Sequence, residues 1–170
     1  RPHHRPTLRA KSALSQLEGC CLEWLERTAN LVLAGNTEQD TIAGLQAFLQ
    51  DKISVGGSAV RGNREKVITI LRRVWLPAAD ELADLRDAGL RFLRNAPKEE
   101  HLAVHWGMVM AAYPFWLVVA ETVGRLLRLQ GTVSAAQAQR RIRESLGERE
   151  TVARAARRVI RAFVDWGVLC

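Results

Sequence analysis

A run of 19 mostly apolar residues, Leu102–Ala120, constrains the fold of this 170-residue chain more than any other feature. Its length matches a membrane-spanning helix, but His105 lies inside it and Pro114 divides it into two shorter pieces. Proline disrupts a helix interior and is favoured at the first position of a helix. The run therefore predicts two buried helices, over about 99–112 and 114–130, that form the core of a protein with no membrane partner.

Apolar residues also recur at helical spacing through most of the chain, and glycine, proline and asparagine separate the helical segments. Residues 1–11 are basic and contain two prolines, which predicts a mobile arm. The stretch Asn95–Pro97 predicts a boundary between an N-terminal helical unit, 12–95, and a C-terminal helical unit, 96–170. We therefore predict an all-α or mostly α fold, built as a helical bundle.

Local signals predict where several helices begin and end. Thr37 and Ser134 each precede a helical segment, where a hydroxyl can accept a hydrogen bond from a free backbone N–H. Thr151 is expected to cap the last helix in the same way, and Gly167 is expected to end it in a left-handed conformation. The short apolar end at 166–169 predicts a strand.

The last predicted helix, 151–166, has two chemically distinct sides. At about 100° per residue, its apolar residues gather on one side and its arginines on the other. Arginine suits phosphate because its planar guanidinium donates two parallel hydrogen bonds. This side is typical either of a surface that contacts phosphates or of the solvated face of a bundle. The arginines concerned are Arg154, Arg157, Arg158 and Arg161.

The net charge of +7 and the pI of about 10.1 favour a polyanionic partner. The excess of basic residues is concentrated in the segments 1–11, 55–75 and 131–170. Such patches on an otherwise acidic chain predict a directed nucleic-acid surface. Further candidate contacts are Arg140 and Arg141 before the last helix, and Arg61, Arg64 and Arg73 in the N-terminal half.

Two short helices with a glycine turn, the second of them basic, are the elements of a helix-turn-helix. The segment 134–146, Gly147 and the basic helix 151–166 match this description. The segments 37–53 and 63–75 form a weaker second instance. The sequence thus predicts two helix-turn-helix or winged-helix-like units whose second helices fit the major groove of double-stranded DNA. A plain bundle with solubilising basic faces is the alternative interpretation.

Motifs for catalysis, metal ions or cofactors do not stand out. His101 and His105 have the i, i+4 spacing of zinc ligands, but the following glutamate of the zinc-protease motif is missing and no third ligand is nearby in sequence. We therefore predict core packing for them, and a protein without enzyme activity, metal or cofactor. The cysteines, Cys20, Cys21 and Cys170, show no paired spacing, which favours reduced thiols in the cytoplasm.

Three blocks of the chain carry a family resemblance. They are Leu-Arg-Arg-x-Trp at 71–75, Leu-x3-Trp-x6-Tyr-Pro-Phe at 102–115, and the Arg-rich last helix that closes on Trp-Gly-Val-Leu. In these blocks the chain resembles the BrxA family, small helical proteins encoded in bacterial phage-defence (BREX) islands, over roughly 37–169. The resemblance implies tandem winged-helix-like units, double-stranded DNA binding and a role beside other defence-system proteins, a methyltransferase and an ATPase. It assigns no individual contact residues.

We therefore expect a non-catalytic, cytoplasmic protein that binds double-stranded DNA within a phage-defence system. The alternative is a protein–protein adaptor or scaffold subunit without direct DNA contact. Five tryptophans could supply anchors for such a partner, with Trp116 expected to point outward beside Phe115.

Overall fold

The computed structural model of the protein describes residues 22–53 and 63–170, and every regular element within these two ranges is helical. The predicted all-α fold is therefore confirmed. The 1–11 arm and Arg61 lie outside the described residues. A 3-10 turn at Lys98–Glu100 precedes the fifth helix. In chain order the helices are α1 (Leu22–Leu33), α2 (Glu38–Leu49), α3 (Asn63–Trp75), α4 (Ala83–Asn95), α5 (His101–Ala112), α6 (Pro114–Gln130), α7 (Ala135–Leu146) and α8 (Glu150–Asp165).

The eight described helices form two three-helix groups that α4 and α5 connect. In the first group α1 packs against α2 and α3, and in the second α6 packs against α7 and α8. The central helix α5 contacts α1, α3, α4 and α6, so both groups share one continuous set of buried apolar side chains. The boundary expected at Asn95–Pro97 falls between α4 and α5, and whether each half folds by itself stays a prediction.

The predicted N-terminal caps of α2 and α7 are confirmed. At α2 the Thr37 hydroxyl accepts a hydrogen bond from the backbone N–H of Asp40, at 3.1 Å. At α7 the Ser134 hydroxyl accepts from the N–H of Gln137 at 3.2 Å, and the Gln137 side chain accepts from the N–H of Ser134 at 2.8 Å. This capping box satisfies donors that a helix start otherwise leaves unpaired.

The start of α8 differs from the sequence prediction. The Arg149 carbonyl accepts from the N–H groups of Val152 and Ala153, at 2.9 and 3.2 Å, which closes the first turn earlier than expected. The helix therefore begins at Glu150, and the predicted cap at Thr151 is wrong because that residue already lies inside the first turn.

The end of α8 confirms one prediction and corrects another. Gly167 has a φ of 74° and ends the helix in the left-handed conformation, as predicted. Its N–H donates to the Val164 carbonyl at 2.9 Å, while the N–H of Val168 donates to the Phe163 carbonyl at 2.8 Å. This pair of bonds is a Schellman motif, which folds the chain back over the helix end. The predicted strand at 166–169 is therefore wrong, and the described ranges contain no strand.

The apolar run forms α5 and α6, the two helices that the sequence predicts. Pro114 occupies the first position of α6, and the two helix axes bend by 119° at this break. Among the described helices, none is long and apolar enough by itself to cross a bilayer. Only the bent pair, Lys98–Ala112 with Pro114–Gln130, reaches that length and composition.

Aromatic side chains fill the interior between α5, α6 and α8. Phe163 packs edge-to-face on Trp106 and on Trp116, with ring centroids 5.6 and 5.5 Å apart. Trp116 also lies 5.3 Å from the Trp166 ring, and only 1% of its surface is exposed. The prediction that Trp116 points outward is therefore wrong, because position 116 lies on the side of α6 that faces α8.

A buried arginine joins α4 to the end of α3. Arg86 is 1% exposed, and its guanidinium donates to the carbonyls of Arg73 and Val74 at 3.3 and 3.2 Å. It also donates to both carboxylate oxygens of Asp80, at 3.2 and 3.1 Å. The hydrogen bond from Arg86 holds the pKa of Asp80 below its ordinary value. Arg86 thus satisfies carbonyls that the C-terminus of α3 leaves without helical partners.

Gly89 of α4 lies against the ring of Trp75, the last residue of α3. A Cβ atom added there would lie 3.1 Å from Cη2 and 3.2 Å from Cζ3 of the Trp75 ring. These distances are shorter than ordinary van der Waals contact, so the absence of a side chain at Gly89 lets the indole sit against the helix backbone.

Candidate nucleic-acid interface

The arginines predicted on the last helix share the outward side of α8. Arg154, Arg157 and Arg161 are exposed, and Arg158 is half-buried at the edge of this side. Their spacing of three and four residues keeps them in register along one face of the helix. The opposite face is buried against α6 and α7, and it comprises Ala153, Ala155, Ala156, Val159, Ile160 and Phe163.

The exposed arginines of α8 differ in their electrostatic partners. The Nε atom of Arg154 lies 3.2 Å from the Glu150 carboxylate, one turn earlier. Arg157 and Arg161 make no ion pair and no side-chain hydrogen bond with any residue of the ranges 22–53 and 63–170. They are one turn apart, roughly 6 Å along the helix axis. These two guanidinium groups form the uncompensated centre of the α8 surface.

A three-residue turn connects α7 to α8, in the chain order that the predicted helix-turn-helix requires. Gly147–Arg149 link the two helices, and Gly147 has a φ of 104° that a side chain would disfavour. On α7, Arg140 and Arg141 lie 3.9 and 3.0 Å from the carboxylate of Glu144, and all three side chains are well exposed. The structure therefore places Arg140 and Arg141 on the helix that packs against α8, where one carboxylate partly compensates both.

The candidate arginines of the first group are engaged within the chain. Arg64 donates to the carbonyls of Gln50 and Ile53, at 3.0 and 3.3 Å, just beyond the end of α2. The guanidinium of Arg73 lies over the ring of Tyr113, 5.2 Å from its centroid. Cation–π contacts of this kind stabilise an exposed arginine by about 0.5–1 kcal/mol. Neither residue is brought to the α8 surface.

Four ionisable or aromatic side chains meet between α1, α3 and α5 and hydrogen-bond to one another. The carboxylate of Glu26 lies 2.6 Å from Nε2 of His105 and 3.0 Å from Nδ1 of His101. The indole N–H of Trp75 donates to Nδ1 of His105 at 3.1 Å, and Nε2 of His101 lies 3.2 Å from the Ala96 carbonyl. We call the four side chains Glu26, Trp75, His101 and His105 the histidine cluster.

At both His105 and Glu26, burial shifts the pKa in one direction, and the hydrogen bond and charge of the partner shift it in the other. Burial lowers the pKa of His105, and the hydrogen bond and negative charge of Glu26 offset this only in part. Burial by itself raises the pKa of Glu26, but hydrogen bonds from His105 and His101 outweigh it, so the pKa of this carboxyl lies below its ordinary value. The arrangement favours an ionised Glu26 beside a neutral His105.

The ligand types in the histidine cluster are those that zinc uses, but their surroundings do not fit a metal ion. Glu26, His101 and His105 offer ligand atoms within 4.8 Å of one another. A zinc-bound imidazole keeps an N–H on its other nitrogen and donates it to an acceptor. The other nitrogen of His105 faces the N–H of Trp75, which is a donor only. If Nε2 of His105 bound a metal ion, an N–H on its Nδ1 would face the indole N–H of Trp75, and two hydrogen-bond donors would meet without an acceptor.

Sequence reasoning found the two histidines of this cluster but missed Glu26. That carboxylate is 75 residues from His101 and 79 from His105, on a helix that no local spacing connects to α5. The expectation that no third ligand lies nearby is therefore wrong, because the packing of α1 against α5 brings the Glu26 carboxylate to both histidines. The expected core packing of His105 is confirmed, since its side chain is fully buried.

Comparisons with models of protein families, with curated proteins and with solved structures gave no match for this chain. A function for it has to follow from the geometry of its own residues and from its sequence blocks.

Proposed function

We propose that this protein is a non-catalytic double-stranded DNA-binding protein of the bacterial cytoplasm and a component of a BREX-type phage-defence system. The observation that carries the proposal is the pair Arg157 and Arg161, exposed one turn apart and without an acidic partner among the described residues. They lie on α8, the second helix of a helix-turn-helix, which is the helix that enters the major groove in such proteins. The blocks that resemble the BrxA family support the defence role.

The dimensions of α8 suit a groove-bound helix. Its 16 residues span roughly 24 Å, about twice the width of the major groove. In this proposal Arg157 and Arg161 reach guanine edges or phosphates, and Arg154 and Arg158 flank them. Arg140 and Arg141 contact the backbone from α7, since the first helix of the motif crosses the phosphates.

The first group has a different part in this proposal. In this proposal its α2–α3 pair is the second helix-turn-helix-like unit, but Arg64 and Arg73 direct their hydrogen bonds and cation–π contact to the chain itself. Arg64 and Arg73 therefore contribute less to DNA affinity than the arginines of α8, and Arg61 stays a candidate contact.

A titration with a short random-sequence duplex, followed by fluorescence anisotropy, tests the proposal. The unaltered protein should bind with micromolar or lower Kd at low salt, and the affinity should fall steeply as salt rises, because each neutralised phosphate releases counterions. The double variant Arg157→Glu/Arg161→Glu should lose at least about 100-fold in affinity, since each charged contact contributes about 1–3 kcal/mol.

The matched control is Arg91→Glu/Arg94→Glu, which makes the same change in net charge at exposed positions of α4. Its affinity should stay within about threefold of the unaltered protein, as expected for surface charges outside the interface. If both double variants lost DNA affinity equally, the loss would come from the change in net charge and not from a contact made by α8. If the unaltered protein did not bind at low salt, the DNA-binding proposal would be wrong.

An adaptor function has its own structural basis. Leu85 and Phe92 lie two turns apart on α4 and are 48% and 47% exposed. Exposed apolar and aromatic side chains of this kind supply binding hot spots. Binding to a purified defence-system protein that survives high salt, and that Phe92→Ser abolishes, would favour the adaptor. In the DNA-binding proposal, Phe92→Ser leaves the affinity for the duplex unchanged.

A further inference from the structure

The hydrogen-bond geometry of the histidine cluster favours one tautomer of His105. This ring faces one acceptor, Glu26, and one donor, Trp75, so it satisfies both as the neutral ring with its proton on Nε2. The nitrogens of His101 both face acceptor oxygens, of Glu26 and of the Ala96 carbonyl. The donor at Trp75 therefore distinguishes His105 from His101.

We propose that the histidine cluster is an acid-sensitive clamp that holds α1 and α3 against α5 while His105 is neutral, and that releases them when His105 takes a second proton. The second proton would sit on Nδ1, 3.1 Å from the indole N–H of Trp75, so that two donors would face each other. Trp75 is fully buried and cannot turn its N–H to water without unpacking α3. The charge added to His105 would also lie 6.4 Å from the His101 ring, whose proximity adds to burial in lowering the pKa of His105.

No other charged group of the described residues hydrogen-bonds to the cluster. Besides Glu26, α1 offers only the neutral amide of Asn30, at 3.5 Å from the carboxylate. From α3, only the neutral indole of Trp75 hydrogen-bonds to the histidines. From the connection between α4 and α5, the Ala96 carbonyl faces His101. On α1 and α3 the neighbouring charged side chains are engaged elsewhere: Glu23 with Lys52, Arg27 over Phe48, Arg72 with Glu38, and Arg73 over Tyr113. Lys98, Glu99 and Glu100, in the 3-10 turn before His101, are exposed, and their side chains make no hydrogen bond to the cluster.

The direction of the pH dependence follows from proton binding in the folded and unfolded chains. Because burial lowers the pKa of His105, the unfolded chain takes up this proton at a higher pH than the folded chain. Stability is therefore complete above the unfolded value of about 6.5 and is lost as the pH falls below it. The lowered pKa of Glu26 acts in the same sense below its ordinary value of 4.5.

The first test is NMR of the unaltered full chain, with ¹⁵N-labelled histidine and tryptophan, from about pH 7.5 to about pH 5.5. At the higher pH we expect His105 as the Nε2–H tautomer, with a hydrogen-bonded indole N–H at Trp75. On acidification both signals should change together, with a midpoint below about 6.5, the value for a free histidine. An Nδ1–H tautomer, or a His105 titration that leaves the Trp75 signal unmoved, would overturn the proposal.

The second test is thermal unfolding over the same pH range for the unaltered protein, Glu26→Gln and the control Glu23→Gln. The unaltered protein and the control, whose site lies on the same helix, should lose about 3 °C or more in Tm on acidification. Glu26→Gln should start with a lower Tm and lose at least as much, because the hydrogen bond and charge of Glu26 raise the pKa of His105 and their removal lowers it further. A loss in Glu26→Gln of less than half that of the control would contradict the clamp. If Glu26→Gln does not fold, the NMR test decides.

The third test distinguishes the clamp from a metal site. Adding Zn²⁺ at about pH 7.5 should leave the His101 and His105 signals and the Tm unchanged, because Trp75 blocks the tautomer that ligation needs. A rise in Tm with Zn²⁺ that is lost in His101→Gln would replace the clamp by a metal centre. None of these tests involves DNA, so their outcome is independent of the proposed function.

Discussion

The two three-helix groups differ in what fills their interiors. The buried polar and charged side chains of the described residues, Thr28, Thr41, Arg86 and His105, all belong to α1–α5. The interior next to α8 is built instead from stacked rings, with Phe163 in contact with Trp106 and Trp116. The first group and the connecting helices α4 and α5 are thus held by buried side-chain hydrogen bonds as well as by apolar burial. In the second group no polar or charged residue of the described ranges is buried.

The arginines of α3 differ from Arg157 and Arg161 of α8 in whether they have partners among the described residues. Those of α3 bind carbonyls, a carboxylate or an aromatic ring of the chain itself, as Arg64, Arg72 and Arg73 illustrate. The buried face of α8 consists of apolar residues, and Arg157 and Arg161 lie exposed on the opposite face. An Arg-rich helix therefore indicates a binding surface only where the fold leaves its arginines without internal partners, and composition alone does not distinguish the two cases.

The largest effect should come from the aromatic interior of the second group. Phe163→Ala removes a ring that touches two tryptophans and leaves a cavity, which should lower the free energy of unfolding by about 3–5 kcal/mol. Urea unfolding followed by circular dichroism measures it. The neighbouring Val164 is 48% exposed, and Val164→Ala should cost less than about 1 kcal/mol. A small loss in Phe163→Ala would mean that the second group is not held by apolar burial.

A somewhat smaller effect is expected at Arg86, the buried arginine that joins α4 to the first group. Arg86→Met keeps most of the side-chain volume but leaves the Arg73 and Val74 carbonyls without donors. We expect the free energy of unfolding to fall by about 2–4 kcal/mol in the same urea experiment. Arg91→Met, at an exposed position of the same helix, should change it by no more than about 0.5 kcal/mol. If Arg86→Met and Arg91→Met were equally stable, the hydrogen bonds of Arg86 would not contribute to the stability of the fold.

The smallest effect should be that of the α3 arginines on DNA affinity. Arg72→Glu/Arg73→Glu breaks the pair with Glu38 and the contact with Tyr113, at a cost in stability of about 1 kcal/mol, because both are exposed interactions. In the anisotropy titration the Kd should rise by no more than about threefold, whereas the α8 reversal should abolish most of the binding. A loss as large as that of the α8 variant would show that both helix-turn-helix units contact DNA.

Features that depend on neighbouring residues were predictable from the sequence. The caps at Thr37 and Ser134, the helix start at Pro114 and the left-handed end at Gly167 each follow from the chemistry of one residue within a single turn. The two faces of α8 were predictable for the same reason, because helical geometry alone decides which side chains share a side. The start at Glu150 was missed because the turn at 147–149 closes before Thr151.

Features that depend on distant residues were not predictable. Glu26 meets His105 across 79 positions, and only the packing of α1 against α5 brings them together. The inward orientation of Trp116 was hidden for a different reason. The run Leu102–Ala120 is apolar almost throughout, so its sequence has too little contrast between faces to show which side turns to the interior. The partners of Arg64 and Arg73 also became visible only with the fold.

The contact between Gly89 and the Trp75 ring has a consequence for the histidine cluster. Even an alanine at position 89 would press on Cη2 and Cζ3 of the indole, whose N–H donates to His105. An indole displaced by that methyl group would carry its N–H away from Nδ1 of His105. The packing of α4 thus helps to set the tautomer of a histidine on α5 that Gly89 does not need to touch.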